Sequence, residues 1–385
     1  MLGYCLNVHP TQTLAEVEAA LRGPVRAVKA EVSAHAPFPV GLRLSAEAAA
    51  DPAAAAALLG RIFAEEGYRA YTMNGFPYGP FHGTPVKEAV YEPDWTTPDR
   101  RRYTADLAAV MAALVPEGET ATISTVPGGF APKAQGHAAA IADGLLQAAA
   151  DLVALERATG RTVALALEPE PWCLLDTTAD AIAFFRDHLF TAAAAGRLAD
   201  LAGLSPAGAS AALPRHLGLC LDVCHMAVGF EAPGPALRAL ADAGVPIHKV
   251  QLSAALRVDA VDQAARDRLA AFQDTVYLHQ VVARGSDGRI RRFLDLPEAL
   301  AATDLDPAAE WRVHFHVPVF AELAAPVAST RDVLERVLAL HRDRPIARHL
   351  EVETYTWDVL PADFRQHDVA AGIAKEMTWV SQQLC

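Results

Sequence analysis

The chain has 385 residues, 52% hydrophobic, 21% charged and 7% aromatic, with a formal net charge of −13. That length can bury a substantial apolar core, and the composition excludes a disordered or fibrous chain. The negative charge, with no basic run longer than Arg100-Arg101-Arg102, opposes a nucleic-acid backbone or an anionic membrane as the main partner.

The first residues run straight into Gly3-Tyr4-Cys5-Leu6-Asn7-Val8, with no basic leader and no cleavable apolar run, so no secretion signal is expected. The five cysteines (Cys5, Cys173, Cys220, Cys224, Cys385) are odd in number and contain no CxxC pair. A chain of this size needs no disulfide staples, and a cytoplasmic location is expected. The low-polarity stretches 46–60 and 190–204 are Ala-rich and interrupted by charges, which predicts helices rather than membrane insertion.

In chain order, short apolar or β-branched runs predict strands at Leu2–Val8, Val40–Leu44, Arg69–Met73, Ala121–Thr125, Val163–Glu168, Leu217–Asp222, His248–Leu252 and His349–Glu353. Segments of helical period lie between them, with helix starts predicted at Thr13, Ser45, Thr97 and Thr178. Such alternation implies parallel strands covered by helices. Eight units without a Gly-rich phosphate turn after the first strand favour an α/β fold of the closed (β/α)8 TIM-barrel type over an open doubly wound sheet.

Residues 1–385 are expected to form a single domain with an insertion at about 255–345, between strands seven and eight. The insertion reads as a decoration of the barrel. Val276–Val282 and Arg289–Leu294 flank an Asp287-Gly288 turn and predict a hairpin. Trp311–Phe320 reads as a further extended run in which His314 and His316 share a face, one reaching the site and the other bracing it.

In a parallel barrel the carboxyl ends of the strands converge on one face. Those ends carry Asn7 and His9, Asn74, Ser124 and Thr125, Glu168 and Glu170, Asp222 and His225, Gln251 and Ser253, and Glu351 and Glu353. Glu168, Asp222 and Glu353 each close a buried apolar run, where an unpaired acid would cost several kcal/mol. Any one of them could be salt-bridged or could cap the next helix. Three together would repel one another, and a divalent cation with oxygen and nitrogen ligands relieves that repulsion. His225, three residues after Asp222, reads either as a hydrogen-bonded wall residue or as a ligand or substrate contact. The Gly/Pro-punctuated aromatic loop from Asn74 to His82 reads as a ring-stacking wall, a lid or a rigid packed loop, and Tyr355 and Trp357 are open to the same readings.

The segments Leu167-Glu168-Pro169, Leu221-Asp222-Val223-Cys224-His225 and Val352-Glu353-Thr354 resemble the xylose-isomerase-like TIM-barrel superfamily, which includes sugar isomerases, ketose 3-epimerases and endonuclease IV-type repair enzymes. Over nearly the full length the chain is similar to the metabolite-traffic EboE group of that superfamily. The matching stretches are Asn7-Val8-His9-Pro10, Asn74-Gly75-Phe76-Pro77-Tyr78-Gly79, Val86-Lys87-Glu88, Ile123-Ser124-Thr125-Val126-Pro127, His314-Phe315-His316-Val317-Pro318 and Glu351–Trp357. The resemblance implies Glu168, Asp222 and Glu353 as metal ligands with His225 beside them. It also exposes two departures. Gln251 stands where related epimerases place a metal-binding His, and the strand ends at Asn74 and Ser124-Thr125 lack the histidines of a trinuclear site, so His316 is expected to complete a mononuclear one.

The expected function is a metal-dependent isomerase or epimerase using Zn, Mn or Mg. Glu168 and Glu353 exchange a proton with the substrate carbon, and Glu168, Asp222, Gln251, His316 and Glu353 hold the metal. Asn7, Asn74, His82, His225, Tyr355 and Trp357 are the candidate substrate contacts. The expected partner is a small hydroxylated or carbonyl-bearing metabolite linked to secondary-metabolite traffic. The alternative is a barrel without turnover that binds a metabolite for an export pathway, a reading that Gln251 favours. Nuclease action ranks third, because the charge offers no phosphate-tracking surface.

Overall fold

A computed structural model describes residues 1–33, 37–362 and 368–385. Seven strands follow one another with helices between: β1 (Leu2–Cys5), β2 (Phe38–Arg43), β3 (Tyr68–Asn74), β4 (Thr120–Thr125), β5 (Thr162–Leu167), β6 (Leu217–Asp222) and β7 (Ile247–Leu252). After them come β8 (Ala255–Val258), β9 (Val281–Arg284), β10 (Ile290–Phe293), β11 (Glu310–His316), β12 (Ala328–Ser329) and β13 (His349–Val352). Strands β1 to β7 and β13 pair in parallel and close into an eight-stranded barrel, with β13 between β7 and β1. All eight predicted barrel strands are present in the predicted order.

The helix starts follow the predicted chemistry with two differences. Thr13 forms a capping box with Glu16, and the Ser45 hydroxyl accepts from the Ala48 amide. The next cap is Thr177 rather than Thr178, because Asp180 is correctly spaced to return the bond to Thr177. Thr97 precedes Pro98 at a helix start, but its hydroxyl donates to the Asp94 carbonyl at 3.0 Å instead of capping. The longest helix, Ala138–Thr159, was not singled out by sequence; by length and composition it could cross a membrane, but Ile141, Leu145, Ala149 and Leu152 are buried in the core.

The insertion is a five-stranded antiparallel sheet of order β10-β9-β11-β8-β12. The hairpin turns at Asp287-Gly288, with Gly288 at φ +80°. Its first strand begins at Val281 rather than Val276, because the Asp274 carboxylate takes the amides of Val276 and Tyr277, and Asp295 takes that of His279. The last strand of the sheet ends at Ser329. The helix Arg331–Asp343 packs on Pro233–Asp242 and Val369–Leu384 in the outer layer of the barrel.

Below the strand ends the barrel interior is polar. The Lys249 ammonium lies 2.6 Å from the Glu351 carboxylate, both side chains wholly buried. The Asn74 side-chain oxygen accepts from Lys249 at 2.8 Å, Gln251 at 2.9 Å and Ser124 at 3.0 Å, while its amide donates to Glu351 at 3.1 Å. Space for the Glu351 carboxylate comes from Gly41 on β2, where an added Cβ would lie 1.5 Å from Glu351 Oε1. Gly41→Ala is therefore expected to displace Glu351, strip the buried Lys249 of its partner and destabilise the fold by about 3–5 kcal/mol. Gly196→Ala meets no atom within 4 Å on the helix Ala192–Ala202 and should instead stabilise by about 0.5–1 kcal/mol. Denaturant melts of the two variants check both signs.

Candidate metal and ligand site

Three strand ends deliver the acids. Glu168 follows β5, Asp222 ends β6 and Glu353 follows β13, and one ligand oxygen from each lies within 4.8 Å of the others in a buried cluster. The Glu353 carboxylate accepts from the Asn7 amide at 2.8 Å. Asp222 Oδ1 accepts from the Ser253 hydroxyl at 2.8 Å and the His225 backbone amide at 3.0 Å, so Asp222 also caps the short helix Val223–Val228. Its other oxygen, Oδ2, is buried without a partner among the described residues.

His316 arrives from β11 in the inserted sheet. Its Nδ1 donates to the Glu353 carbonyl at 2.9 Å, which leaves Nε2 as a buried, unpartnered lone pair 3.9 Å from Asp222 Oδ2. Burial pulls its pKa down to about 4, so the ring is neutral at physiological pH. Gln251 donates its amide to Asn74, and its Oε1 is likewise buried and unpartnered. Three orphaned acceptor atoms beside a carboxylate cluster are what a bound cation would satisfy, so these residues fit a divalent metal.

A second group lies beside the first. Glu170, His225 and His314 also bring one ligand atom each within 4.8 Å. His225 Nδ1 donates to the Pro169 carbonyl at 2.9 Å, and His314 Nδ1 donates to Gln280 Oε1 at 2.7 Å. Glu170 accepts from the Tyr91 hydroxyl at 2.8 Å. Burial raises the Glu170 carboxyl to about 7. Burial works against charging His225, but Asp222, Glu170 and Glu168 outweigh it and raise its pKa.

A cavity of about 620 Å³, including its mouth, opens onto this floor. Glu168, Glu170, Glu353, Asn7, His225 and His314 line it, whereas Asp222, Gln251 and His316 are absent from the lining among the described residues. Tyr355 and Asn74 line it too, although the Asn74 carboxamide is engaged within the barrel. Two expected contacts lie elsewhere. His82 spends one ring nitrogen on the Asn7 carbonyl at 2.8 Å and the other on the Tyr277 hydroxyl at 3.2 Å, so it braces the wall from behind. Trp357 packs against Gly372 of the C-terminal helix, where an added Cβ would meet its ring at 2.5 Å.

Both inserted-sheet histidines are at the site, their ring centroids 5.6 Å apart, so the insertion builds the site and is more than a decoration. Sequence reasoning passed over Lys249 and left Glu351 and Glu170 without a role. The period of two would have shown the first two, since Lys249 shares a strand face with Gln251, and Glu351 with Glu353.

Burial first, and then the neighbouring acid Asp222, raise Glu168 to about 7, with His225 opposing; burial, with the acids Glu168, Asp222 and Glu351, holds Glu353 well above the carboxylate range. A carboxyl whose folded pKa exceeds its unfolded value stabilises below the unfolded pKa, and that contribution is lost as pH rises through the folded one. For Glu168 the window runs from about 4.5 to about 7. In chelator-treated protein, Glu168→Gln should therefore stabilise relative to the parent at pH 8 by on the order of 3 kcal/mol. The gain should vanish near pH 4.5, and melts of both proteins across this range check it.

No protein-family model and no curated protein matches the chain. Among solved structures it is similar to a xylose isomerase-like TIM barrel protein from Mycobacterium smegmatis in complex with magnesium, at 12% identity and TM-score 0.49, covering 100% of this chain and 96% of that one. It is similar to the IolI protein with a bound zinc atom at 10% identity and TM-score 0.47, covering 100% and 97%. A third is the probable 3-DHS dehydratase AsbF of petrobactin synthesis from Bacillus anthracis, at 10% identity and TM-score 0.46, covering 99% and 98%. The barrel assignment stands on the strand order itself, a closed eight-stranded parallel sheet with alternating helices.

Proposed function

We propose that this chain is a divalent-metal-dependent isomerase or epimerase acting on a small hydroxylated or carbonyl-bearing metabolite, within the metabolite-traffic EboE group of the xylose-isomerase-like barrels. The observation that carries this reading is the buried convergence of Glu168, Asp222 and Glu353 at the floor of a cavity, beside unpartnered acceptor atoms on Asp222, Gln251 and His316. Glu168, Asp222 and Glu353 would hold the metal, with His316 and Gln251 completing its shell. A bound Zn, Mn or Mg ion supplies Lewis-acid polarisation of adjacent substrate oxygens.

The division of the ligand set supports the same reading. Asp222, Gln251 and His316 lie behind the cavity lining, where they can serve only the ion or the fold. Glu168 and Glu353 line the cavity, so their carboxylates can also take a proton from a substrate carbon and return it. Asn7 orients Glu353 by its 2.8 Å bond. A second reading, metabolite binding without turnover, is favoured by Gln251, a neutral ligand whose amide is already committed to Asn74.

Elemental analysis of tag-free protein should find near one metal per chain, reduced at least tenfold in Asp222→Ala and Glu353→Ala. Metal-loaded protein should exchange substrate carbon-bound hydrogen with D2O, and Glu168→Gln should slow that exchange by 100-fold or more. Bound metal with no exchange on any α-hydroxycarbonyl compound favours the binding protein. Absence of metal after incubation with Zn, Mn and Mg overturns the metal site.

A further inference from the structure

The cavity is divided by polarity. Its ionisable and amide floor, described above, faces a wall built from Phe76, Phe81, Val90, Tyr277, Leu278 and Tyr355. The polar groups on that wall are mostly spent within the protein. The Lys87 ammonium donates to the Tyr277 carbonyl at 2.6 Å and pairs with Asp295 at 2.7 Å. The Tyr91 hydroxyl serves Glu170, and that of Tyr277 bonds His82. Of the wall's side-chain polar groups, this leaves the Tyr355 hydroxyl without a hydrogen bond among the described residues. The floor, by contrast, keeps buried acceptors without partners in Asn7 Oδ1 and His314 Nε2.

A free sugar carries hydroxyls around its whole ring. Seated here, the hydroxyls far from the floor would lose water and gain almost no partner, each at a cost of about 1–3 kcal/mol. An apolar or aromatic body gains from the same wall by burial and ring stacking. The wall is also held in shape: the amides of Val86 and Lys87 bond the Val276 carbonyl at 2.9 and 3.0 Å, tying the loop after β3 to the inserted segment.

Resting on the function proposed above, we infer that the substrate class is amphipathic: a vicinal hydroxyl-carbonyl head for the floor and an apolar, preferably aromatic, body for the wall, rather than a free sugar. The head presents its two oxygens and the C–H of its hydroxyl-bearing carbon to the floor beside Glu168 and Glu353, and the body lies between the loop after β3 and the inserted segment.

The test uses full-length, Mn-loaded protein and three probes: 1-hydroxy-1-phenylpropan-2-one as head and body, hydroxyacetone as head alone, and D-fructose as polyol. Calorimetry should show the phenyl ketone binding at least tenfold tighter than either of the others. Leu278→Asn and the near-isosteric Val90→Thr should each weaken the phenyl ketone by fivefold or more while leaving metal content unchanged. Fructose binding as tightly as the phenyl ketone overturns the inference, as does failure of the phenyl ketone to bind metal-loaded protein. So does phenyl-ketone affinity that stays the same in both variants when both keep the parent melting temperature. Metal content is measured on the same samples, so failure of the substrate class with metal bound leaves the metal site standing, whereas absence of metal removes the reading on which it rests.

Discussion

Three carboxylates that would rather be apart organise this molecule. Glu168, Asp222 and Glu353 approach within 4.8 Å in a buried setting, where desolvation and the neighbouring acids oppose ionisation of Glu168 and Glu353. The fold tolerates this because each acid is anchored by something it could not leave cheaply. Asp222 caps a helix and accepts from Ser253, and Glu353 is held by Asn7. Glu168 is placed by its backbone, whose amide bonds the Thr125 carbonyl at 3.1 Å at the edge of the barrel ladder.

Beneath the acids, the barrel exchanges the usual apolar filling for a polar layer. Lys249 supplies a positive charge that partly offsets the acids above it, and it is itself retained by Glu351 and Asn74. A layer of this kind is costly to assemble but hard to rearrange, since removing any one member leaves another buried without its partner. Gly41 is part of the same arrangement, because a side chain there would occupy the place of the Glu351 carboxylate.

The inserted sheet changes what the barrel can do. The barrel strand ends offer carboxylates and the single imidazole of His225, whereas β11 brings two further imidazoles, and the segment before β9 brings Tyr277 and Leu278 into the wall. Nδ1 of His316 donates to the Glu353 carbonyl, so a histidine from the insertion is oriented by the last barrel strand end. The ion site and the ligand wall thus depend on one docked element, and its docking through the Lys87 ammonium, which bonds Asp295 and the carbonyls of Asp274 and Tyr277, bears on both.

The eight strands and their order were legible because short runs rich in apolar or β-branched residues alternate with segments of helical period, a local pattern that burial between helices imposes directly. The three acids were legible for the same reason, as each closes such a run. Other features depended on partners far away in the chain. Trp357 looks like a wall residue until Gly372 is seen to receive its ring, and His82 looks free until Tyr277 and Asn7 occupy its nitrogens. The start of the hairpin shifted because Asp274 and Asp295 captured backbone amides that the alternation assigned to a ladder. Sequence by itself determined which residues stand at the strand ends, since burial and strand period act locally. Only the tertiary structure decided which of them keep an unpartnered atom, because that depends on hydrogen bonds closed between residues as distant as Asn7 and Glu353.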